Sequence, residues 1–183
     1  MPFSFKRLEI PDVIVIEPKS FEDTRGVFFE NFKESEFTLN GISTKFVQDN
    51  SSQSLKSVIR GLHYQNNPKA QAKLISVLKG EIFDVAVDIR RNSPTFGKWV
   101  SEVLSEKNHK LLYVPEGFAH GFCVTTDESY VYYKVSNEYS SEHEQGILWN
   151  DPKLNIKWPV TKPVISEKDS QLPLLENLDN DFL

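Results

Sequence analysis

The stretch LISVLKGEIFDVAVDI, residues 74–89, decides the fold class of this 183-residue chain. Two runs rich in β-branched and aromatic residues, 73–78 and 82–89, meet in this stretch and are joined by Lys79-Gly80. Such residues favour strands, and glycine supplies the positive φ that a tight turn requires. The stretch therefore predicts two strands that form a β-hairpin around Gly80.

Similar runs recur along the chain and predict an all-β sandwich or barrel. One segment, 33–39, has a helical pattern, so helix content should be low. After Trp149, the dipeptides Asp151-Pro152, Trp158-Pro159 and Lys162-Pro163 interrupt any strand pattern and predict an irregular C-terminal tail packed on the barrel. The predicted strands are 13–16, 26–32, 45–48, 57–64, 73–78, 82–89, 99–104, 111–114, 119–124 and 130–135.

Length, charge and cysteine content restrict the class of protein. At about 150 residues per domain, we expect residues 1–183 to form a single domain. The chain has 21 Lys and Arg against 26 Asp and Glu, a net charge of −5, which argues against nucleic-acid or anionic-membrane partners. A single cysteine, Cys123, excludes an intrachain disulfide, and the N-terminus resembles no secretory signal, so a cytoplasmic location is expected.

An anionic ligand must therefore bind at a local cluster of basic residues. Taken singly, each candidate for that cluster is more often an ordinary surface charge. The candidates are Arg25, Lys56, Arg60, Lys73 and Lys168.

Two carboxylates interrupt the strand 82–89. Strand alternation places Asp84 and Asp88 on one face with Ile82 and Ala86. A solvated face is the simpler expectation for Asp88. For Asp84, which lies between apolar neighbours in mid-strand, a polar cavity is an equal alternative.

Further polar side chains fall within predicted strands. His63 lies in VIRGLHYQ (58–65), His120 in VPEGFAHGF (114–122) and Tyr133 in a tyrosine-rich run. Taken singly, a strand histidine is more often structural, and a tyrosine more often packs with its hydroxyl at the rim. Together with Lys73, they favour a small barrel that holds a ligand.

A metal site is a competing interpretation, because small barrels with histidines and carboxylates can bind transition metals. Such sites need at least three converging nitrogen, sulfur or carboxylate ligands. Gln65 stands two residues after His63, where a second histidine would be expected, and His109 and His143 lie in polar segments that should be exposed. The sequence therefore predicts no metal and no other cofactor.

Seven motifs occur in this order along the chain: DTRGVFFENF, FVQDNSSQS, VIRGLHYQ, KLISVLKGEIFDVAVDIR, VPEGFAHGF, YYKVSNEY and ISEKD. Together they resemble the dTDP-4-dehydrorhamnose 3,5-epimerase family over about 14–169. The resemblance implies a cupin-like jelly-roll fold and a metal-free isomerase. The implied reaction inverts the two carbons that flank the keto group of dTDP-4-dehydro-6-deoxyglucose, giving dTDP-4-dehydro-L-rhamnose.

The resemblance also implies catalytic roles. His63 would be the base and Asp169 the carboxylate that orients it, while Lys73 would lie near the keto oxygen. Tyr133 would return a proton from the opposite side. Asp84 and His120 would form a second inward pair that supports substrate binding.

The remaining implied residues bind the nucleotide. They are Arg25, Glu30, Gln48, Asn50, Arg60, Tyr139, Glu144 and Lys168. Relatives are commonly homodimers in which N-terminal strands cross to the partner, so a homodimer is expected.

Three alternatives remain open. A related enzyme could invert only one carbon or use another nucleotide-linked keto sugar, because the base and the acid are shared. A metal-dependent cupin oxygenase or isomerase is a second possibility, against which Gln65 argues. A binding module without chemistry is a third, although it would be expected to lack His63 or Tyr133, and both are present.

Overall fold

The structure is a computed structural model that describes residues 2–183. Strands dominate this part of the chain, and its two α-helices are short. In chain order the elements are β1 (Phe3–Arg7), β2 (Ile14–Pro18), β3 (Ser20–Asp23), β4 (Gly26–Phe29), α1 (Glu34–Leu39), β5 (Gln48–Leu55), β6 (Ile59–Gln65), β7 (Lys73–Lys79), β8 (Glu81–Asp88), β9 (Trp99–Ser105), β10 (Leu111–Val114), β11 (Phe118–Val124), β12 (Glu128–Val135), β13 (Glu144–Gly146), α2 (Glu167–Ser170) and a 3₁₀ turn (Leu175–Asn177).

Two antiparallel sheets face each other. The six-stranded sheet has the order β1-β2-β10-β7-β12-β5, and the five-stranded sheet has the order β13-β6-β11-β8-β9. Strands β3 and β4 form a separate two-stranded hairpin. The predicted all-β jelly roll with few short helices is confirmed, and the predicted helix 33–39 corresponds to α1.

The predicted hairpin around Gly80 is wrong, although its two strands and its turn are present. β7 pairs with β10 and β12, whereas β8 pairs with β11 and β9 in the other sheet. Gly80 has φ +77°, and a Cβ there would lie 2.2 Å from the Glu128 carbonyl oxygen. The turn is therefore an arch between sheets, which lets Ile75 of β7 and Ile82 of β8 pack in the same core.

Apolar clusters fill both the space between the sheets and their outer faces. Between the sheets, residues such as Ile75 and Val131 pack against Ile82 and Ala86. The outer face of the five-stranded sheet is covered by the C-terminal segment, whose Trp158 ring lies 6.0 Å from that of Phe83. The expected packing of the irregular tail on the barrel is confirmed.

The expectation of a solvated Asp88 is wrong. Asp88 is fully buried, and its carboxylate accepts hydrogen bonds from Arg90, Ser93 and Thr95. Burial by itself raises the pKa of Asp88, but these donors hold it below its usual range. Three local donors satisfy the carboxylate inside the barrel, and strand alternation alone cannot reveal them.

Several strands differ from the predicted ones. β5 (QDNSSQSL) was expected only as 45–48, because Asn, Ser and Gln have low strand propensity. It pairs with β12 along its whole length, so tertiary pairing overrides the local preference. β1, β3 and β13 were not predicted, and β4 ends at Phe29 rather than at residue 32. In residues 2–183, no helix has the length and apolarity needed to cross a membrane.

Candidate active site

Two adjacent strands present the two histidines. β6 and β11 pair so that His63 and His120 lie directly opposite each other, and both line one cavity. A Cβ at Gly61 would lie 2.6 Å from the Cα of Gly121, so glycine permits this close approach. The register shifts beside this contact. Because of that irregularity, Arg60 and His63, three residues apart, both reach the cavity instead of pointing to opposite faces.

His63 is paired with a carboxylate from the C-terminal segment. Its Nε2 lies 2.8 Å from Oδ1 of Asp169, and Oδ2 of Asp169 accepts a hydrogen bond from the Gly61 N–H at 3.2 Å. Burial alone raises the pKa of Asp169, but the bonds from His63 and Gly61 hold it below its usual range. An ionised Asp169 requires the hydrogen on Nε2 of His63, which leaves Nδ1 free to accept a proton.

Lys73 opens β7 and is almost completely buried. Its ammonium donates to the backbone oxygen of His63 at 3.1 Å. Burial lowers the pKa of Lys73 to about 8, although the negative charges of Asp84 and Glu144 oppose that shift. A cation therefore lies beside the His63 backbone with little solvation of its own.

Asp84 and His120 form a second histidine–carboxylate pair. His120 Nε2 lies 2.8 Å from Oδ1 of Asp84, and both side chains are buried. Burial raises the pKa of Asp84, while the neighbouring His120 and Lys73 oppose that shift. Oδ2 of Asp84 has no hydrogen-bond partner within the described residues. The structure therefore places Asp84 inside the barrel, and the alternative of a solvated position does not hold.

Tyr133 lies on β12, in the sheet opposite His63. It borders the same cavity and is half-buried. Burial raises the pKa of Tyr133, partly offset by the charge of Arg60. The phenol therefore keeps its proton at neutral pH and is available as a donor.

Two adjoining cavities meet at these residues. One has a volume of about 390 Å³ and the other about 290 Å³, and both are bordered by His63, Lys73 and Tyr133. The first also contains Arg60, whose Nε donates to Oγ of Ser54 at 2.9 Å. The pair of cavities can hold a ligand with two parts, and the ionisable groups lie at the junction.

The second cavity is bordered by four more of the predicted residues, Gln48, Asn50, Tyr139 and Glu144, whereas Lys168 borders neither cavity. Gln48 donates to Asn50 at 2.8 Å and accepts from the backbone N–H of Tyr139 at 2.9 Å. The hydroxyl of Tyr139 donates to Glu144 at 2.6 Å, and Lys168 forms an ion pair with the same carboxylate. Burial alone raises the pKa of Glu144, but Lys168 and Tyr139 hold it below its usual range.

Arg25 and Glu30 are not among the residues that border these cavities. Arg25 lies at the turn of the β3–β4 hairpin, where its exposed side chain pairs with Asp23. Both residues were predicted in the nucleotide site, and within one chain the structure does not bring them there.

Three serines near the cavity were not predicted. Ser54 holds Arg60, Ser52 borders the cavity, and Ser166 caps α2 just before Asp169. Ser166 and Asp169 have the spacing of a helix N-cap motif, a signal already present in ISEKD. Ser52 and Ser54 carry no comparable signal, because their strand was not predicted.

The remaining histidines lie outside the cavities. His109 stacks on Phe29 with ring centroids 4.1 Å apart, and His143 is hydrogen-bonded to Ser140. Both are half-buried, so the expected exposure is only partial. Across residues 2–183, no group of three His, Cys, Asp or Glu side chains is placed to hold a metal ion.

Together, the fold and the site define a jelly-roll protein whose cavity is equipped for proton transfer at a bound ligand. The family model for dTDP-4-dehydrorhamnose 3,5-epimerase matches residues 7–177. The dTDP-4-dehydrorhamnose 3,5-epimerase of Shigella flexneri is 56% identical over 164 residues, which cover 89% of this chain and 91% of that protein.

Solved structures that resemble this chain are also sugar-nucleotide epimerases. The dTDP-6-deoxy-D-glucose-3,5-epimerase of Legionella pneumophila, in complex with dTDP-4-keto-L-rhamnose, superimposes with a TM-score of 0.93 at 46% identity, covering 97% of this chain and 95% of that one. A 3'-monoepimerase of Streptomyces bikiniensis, in complex with dTDP-quinovose, gives 0.87 at 32% identity over 92% and 86% of the two chains. The chain belongs to the dTDP-4-dehydrorhamnose 3,5-epimerase family and is an isomerase.

Proposed function

We propose that this protein epimerises dTDP-4-dehydro-6-deoxyglucose at both carbons that flank the keto group, giving dTDP-4-dehydro-L-rhamnose without a metal. The observation that carries this proposal is the placement of His63 and Tyr133 on facing sheets, with Lys73 between the two cavities. Inversion requires a proton to leave one face of a carbon and return to the other.

The acid–base roles follow from the hydrogen bonds. Nδ1 of His63 accepts the proton beside the carbonyl, and Asp169 stabilises the resulting imidazolium through Nε2. The ammonium of Lys73 stabilises the negative charge that develops on the enolate oxygen. Tyr133 then donates its proton to the carbon from the opposite face. Before the next turnover, Tyr133 regains a proton from solvent and His63 releases its proton to solvent.

The nucleotide occupies the polar parts of the cavities. The guanidinium of Arg60 suits diphosphate oxygens, and Ser54 fixes its orientation. Gln48, Asn50 and Tyr139 form one hydrogen-bonded wall for the nucleoside. Glu144 and Lys168 hold that wall against α2.

Arg25 and Glu30 reach a nucleotide site if the hairpin crosses to a second copy of the chain. Every residue of β3 is exposed, and Phe28 of β4 is 68% exposed. Strand β5, which borders the nucleotide wall, is an edge strand with one unpaired side. We therefore assign a homodimer in which each hairpin completes the partner's site.

Subunit mixing tests this assembly. Arg25→Ala and His63→Ala should each be weakly active alone, but refolding them as an equal mixture should restore about one quarter of wild-type activity, since a two-fold dimer then regains one intact site in every four. A mixture no more active than its components would place Arg25 and His63 in the same chain's site or remove Arg25 from it.

Solvent deuterium exchange tests the reaction itself. In D₂O, NMR should show deuterium at both carbons that flank the keto group and formation of the L-rhamno product. Label and inversion at one carbon would assign the single-carbon activity described for the Streptomyces bikiniensis relative. No label would favour a binding module, and activity abolished by EDTA and restored by a divalent ion would favour a metal-dependent enzyme.

The Tyr133→Phe variant sharpens that test, because it keeps the ring and removes only the donor. Deuterium should still enter the substrate through His63, while inverted product falls by about a hundredfold. Near-normal inversion would make Tyr133 a packing residue. A cytoplasmic location without nucleic-acid or membrane partners remains a prediction from the sequence.

A further inference from the structure

Asp169 differs from the other ionisable groups at the junction of the cavities, because it does not belong to either sheet. It lies on α2, a four-residue helix in the irregular C-terminal segment. His63, Lys73 and Tyr133 are fixed by strand pairing on both sides. The position of the Asp169 carboxylate must therefore be set by contacts of the segment 164–169, which we call the strap.

Main-chain pairing holds only the beginning of the strap. Val164 forms a parallel bridge with Val58. The Val164 N–H donates to the Ser57 carbonyl at 2.9 Å, and the Val164 carbonyl accepts from the Ile59 N–H at 3.1 Å. Nearer to Asp169, the ion pair of Lys168 with Glu144 has a mostly exposed lysine, and exposed pairs contribute little. Neither contact fixes the direction of the Asp169 side chain.

Within the strap, Ser166 contacts Asp169 directly. Its Oγ accepts a hydrogen bond from the Asp169 backbone N–H at 3.0 Å, and its carbonyl accepts from Ser170 N–H at 3.0 Å. Ser166 has extended backbone angles, as expected for a helix N-cap. The same hydroxyl helps to hold the pKa of Asp169 below its usual range.

The use of the cap is unusual in one respect. In a capping box, the carboxylate three residues after the cap reaches back to the N–H of the cap residue. Here Asp169 occupies that third position, but its two oxygens contact His63 Nε2 and Gly61 N–H. The cap therefore fixes the backbone of Asp169 while its carboxylate is free to orient the base.

We propose that Ser166 is a positioning residue that holds the Asp169 carboxylate in line with His63. This inference rests on the proposed function only in taking His63 as the base. It assigns no contact with the substrate to Ser166.

The test compares Ser166→Ala with a matched control on the same helix. Ser170→Ala also removes a hydroxyl from α2, but that hydroxyl donates to the Glu167 carbonyl and does not contact Asp169. Ser166→Ala should lower kcat about three- to tenfold, the size expected for loss of a helix cap, with little change in KM. Ser166→Thr should restore kcat, because threonine also caps helices, and Ser170→Ala should resemble the wild type.

The position of the hydrogen on the His63 ring provides a readout that is independent of turnover. In the wild type, the ¹⁵N NMR signals of the imidazole should show the hydrogen on Nε2, which lies against Asp169. In Ser166→Ala they should move toward a mixture of tautomers, since a displaced carboxylate no longer holds the hydrogen there. The effect on kcat should disappear in an Asp169→Asn background. Wild-type turnover and a wild-type imidazole spectrum in Ser166→Ala, or an equal loss of kcat with and without Asp169, would overturn the inference. If the wild type itself fails to epimerise, the proposed function fails, whereas the imidazole spectrum still tests the positioning.

Discussion

The two walls of the cavity hold their ionisable side chains in different surroundings. On the five-stranded sheet, His63 and His120 each contact a carboxylate, from Asp169 and Asp84 respectively. On the six-stranded sheet, burial is the main influence: it lowers the pKa of Lys73 to about 8 and raises that of Tyr133. A partner carboxylate fixes the tautomer and orientation of an imidazole, whereas burial favours a neutral phenol.

This difference assigns a direction to the chemistry. The wall with paired histidines is suited to accept a proton and to hold the resulting charge. The facing wall is suited to keep a donor neutral until an enolate needs its proton. Each of the following experiments disturbs one wall and leaves the other in place.

The largest effect is expected on the wall that accepts the proton. His63→Ala and Asp169→Asn should each lower kcat by about a hundredfold or more, because a base without its partner presents the wrong tautomer. The double mutant should fall far short of the product of the two losses, since the residues act as a unit. Steady-state kinetics of the three variants gives the coupling directly, and full additivity would rule out the pairing.

A similar loss is expected when the cation on the facing wall is removed. Lys73→Met keeps much of the buried side-chain volume but removes the charge that stabilises the enolate oxygen. It should lower kcat by about a hundredfold, as for loss of an oxyanion donor, with a much smaller change in affinity. Binding of dTDP, measured by calorimetry, serves as the control. If affinity alone changes, Lys73 binds phosphate instead.

Arg60 should affect binding more than turnover. Its guanidinium lies in the larger cavity and is held by Ser54. Arg60→Ala should weaken dTDP binding by about 1.5–3 kcal/mol, the range for a hydrogen bond to a charged group. Ser54→Ala should weaken it less, because the charge remains. Unchanged dTDP affinity in Arg60→Ala would remove the residue from the diphosphate site.

Much of this arrangement could be predicted from residue patterns, and there are physical reasons why the other features could not. The apolar runs located most strands of both sheets, and the inward position of Asp84 followed as one of two alternatives from strand alternation. The arch at Gly80 could not be predicted, because a glycine turn between two strands has the same local pattern in a hairpin and in an arch. Only the partners of β7 and β8 distinguish the two.

The site shows the same limit. His63 and Arg60 were predicted within one strand, but alternation would place them on opposite faces, and the irregularity at Gly61 brings both to the cavity. The pairing of His63 with Asp169 joins residues 106 positions apart. It depends on how the tail packs, so only the resemblance to the family indicated it. β5 was largely missed because it lacks an apolar pattern: its polar residues line the cavities and do not pack in a core.

The smallest effect near neutral pH, and the one that separates the two walls most cleanly, is the response to alkali. The pKa of Lys73 is lowered from 10.5 to about 8 in the folded protein, so its ammonium is lost as pH rises through about 8. kcat should then fall toward high pH, and the pH–rate profile of Lys73→Met should lack that alkaline fall.

Stability should respond in the opposite direction. Between pH about 8 and 10.5, the unfolded chain holds a proton on Lys73 that the folded chain has released, so this residue makes stability rise with pH. Comparing pH–rate profiles and denaturant unfolding of the wild type and Lys73→Met isolates both contributions. If kcat falls toward high pH in Lys73→Met just as in the wild type, then a group other than the buried amine causes that fall.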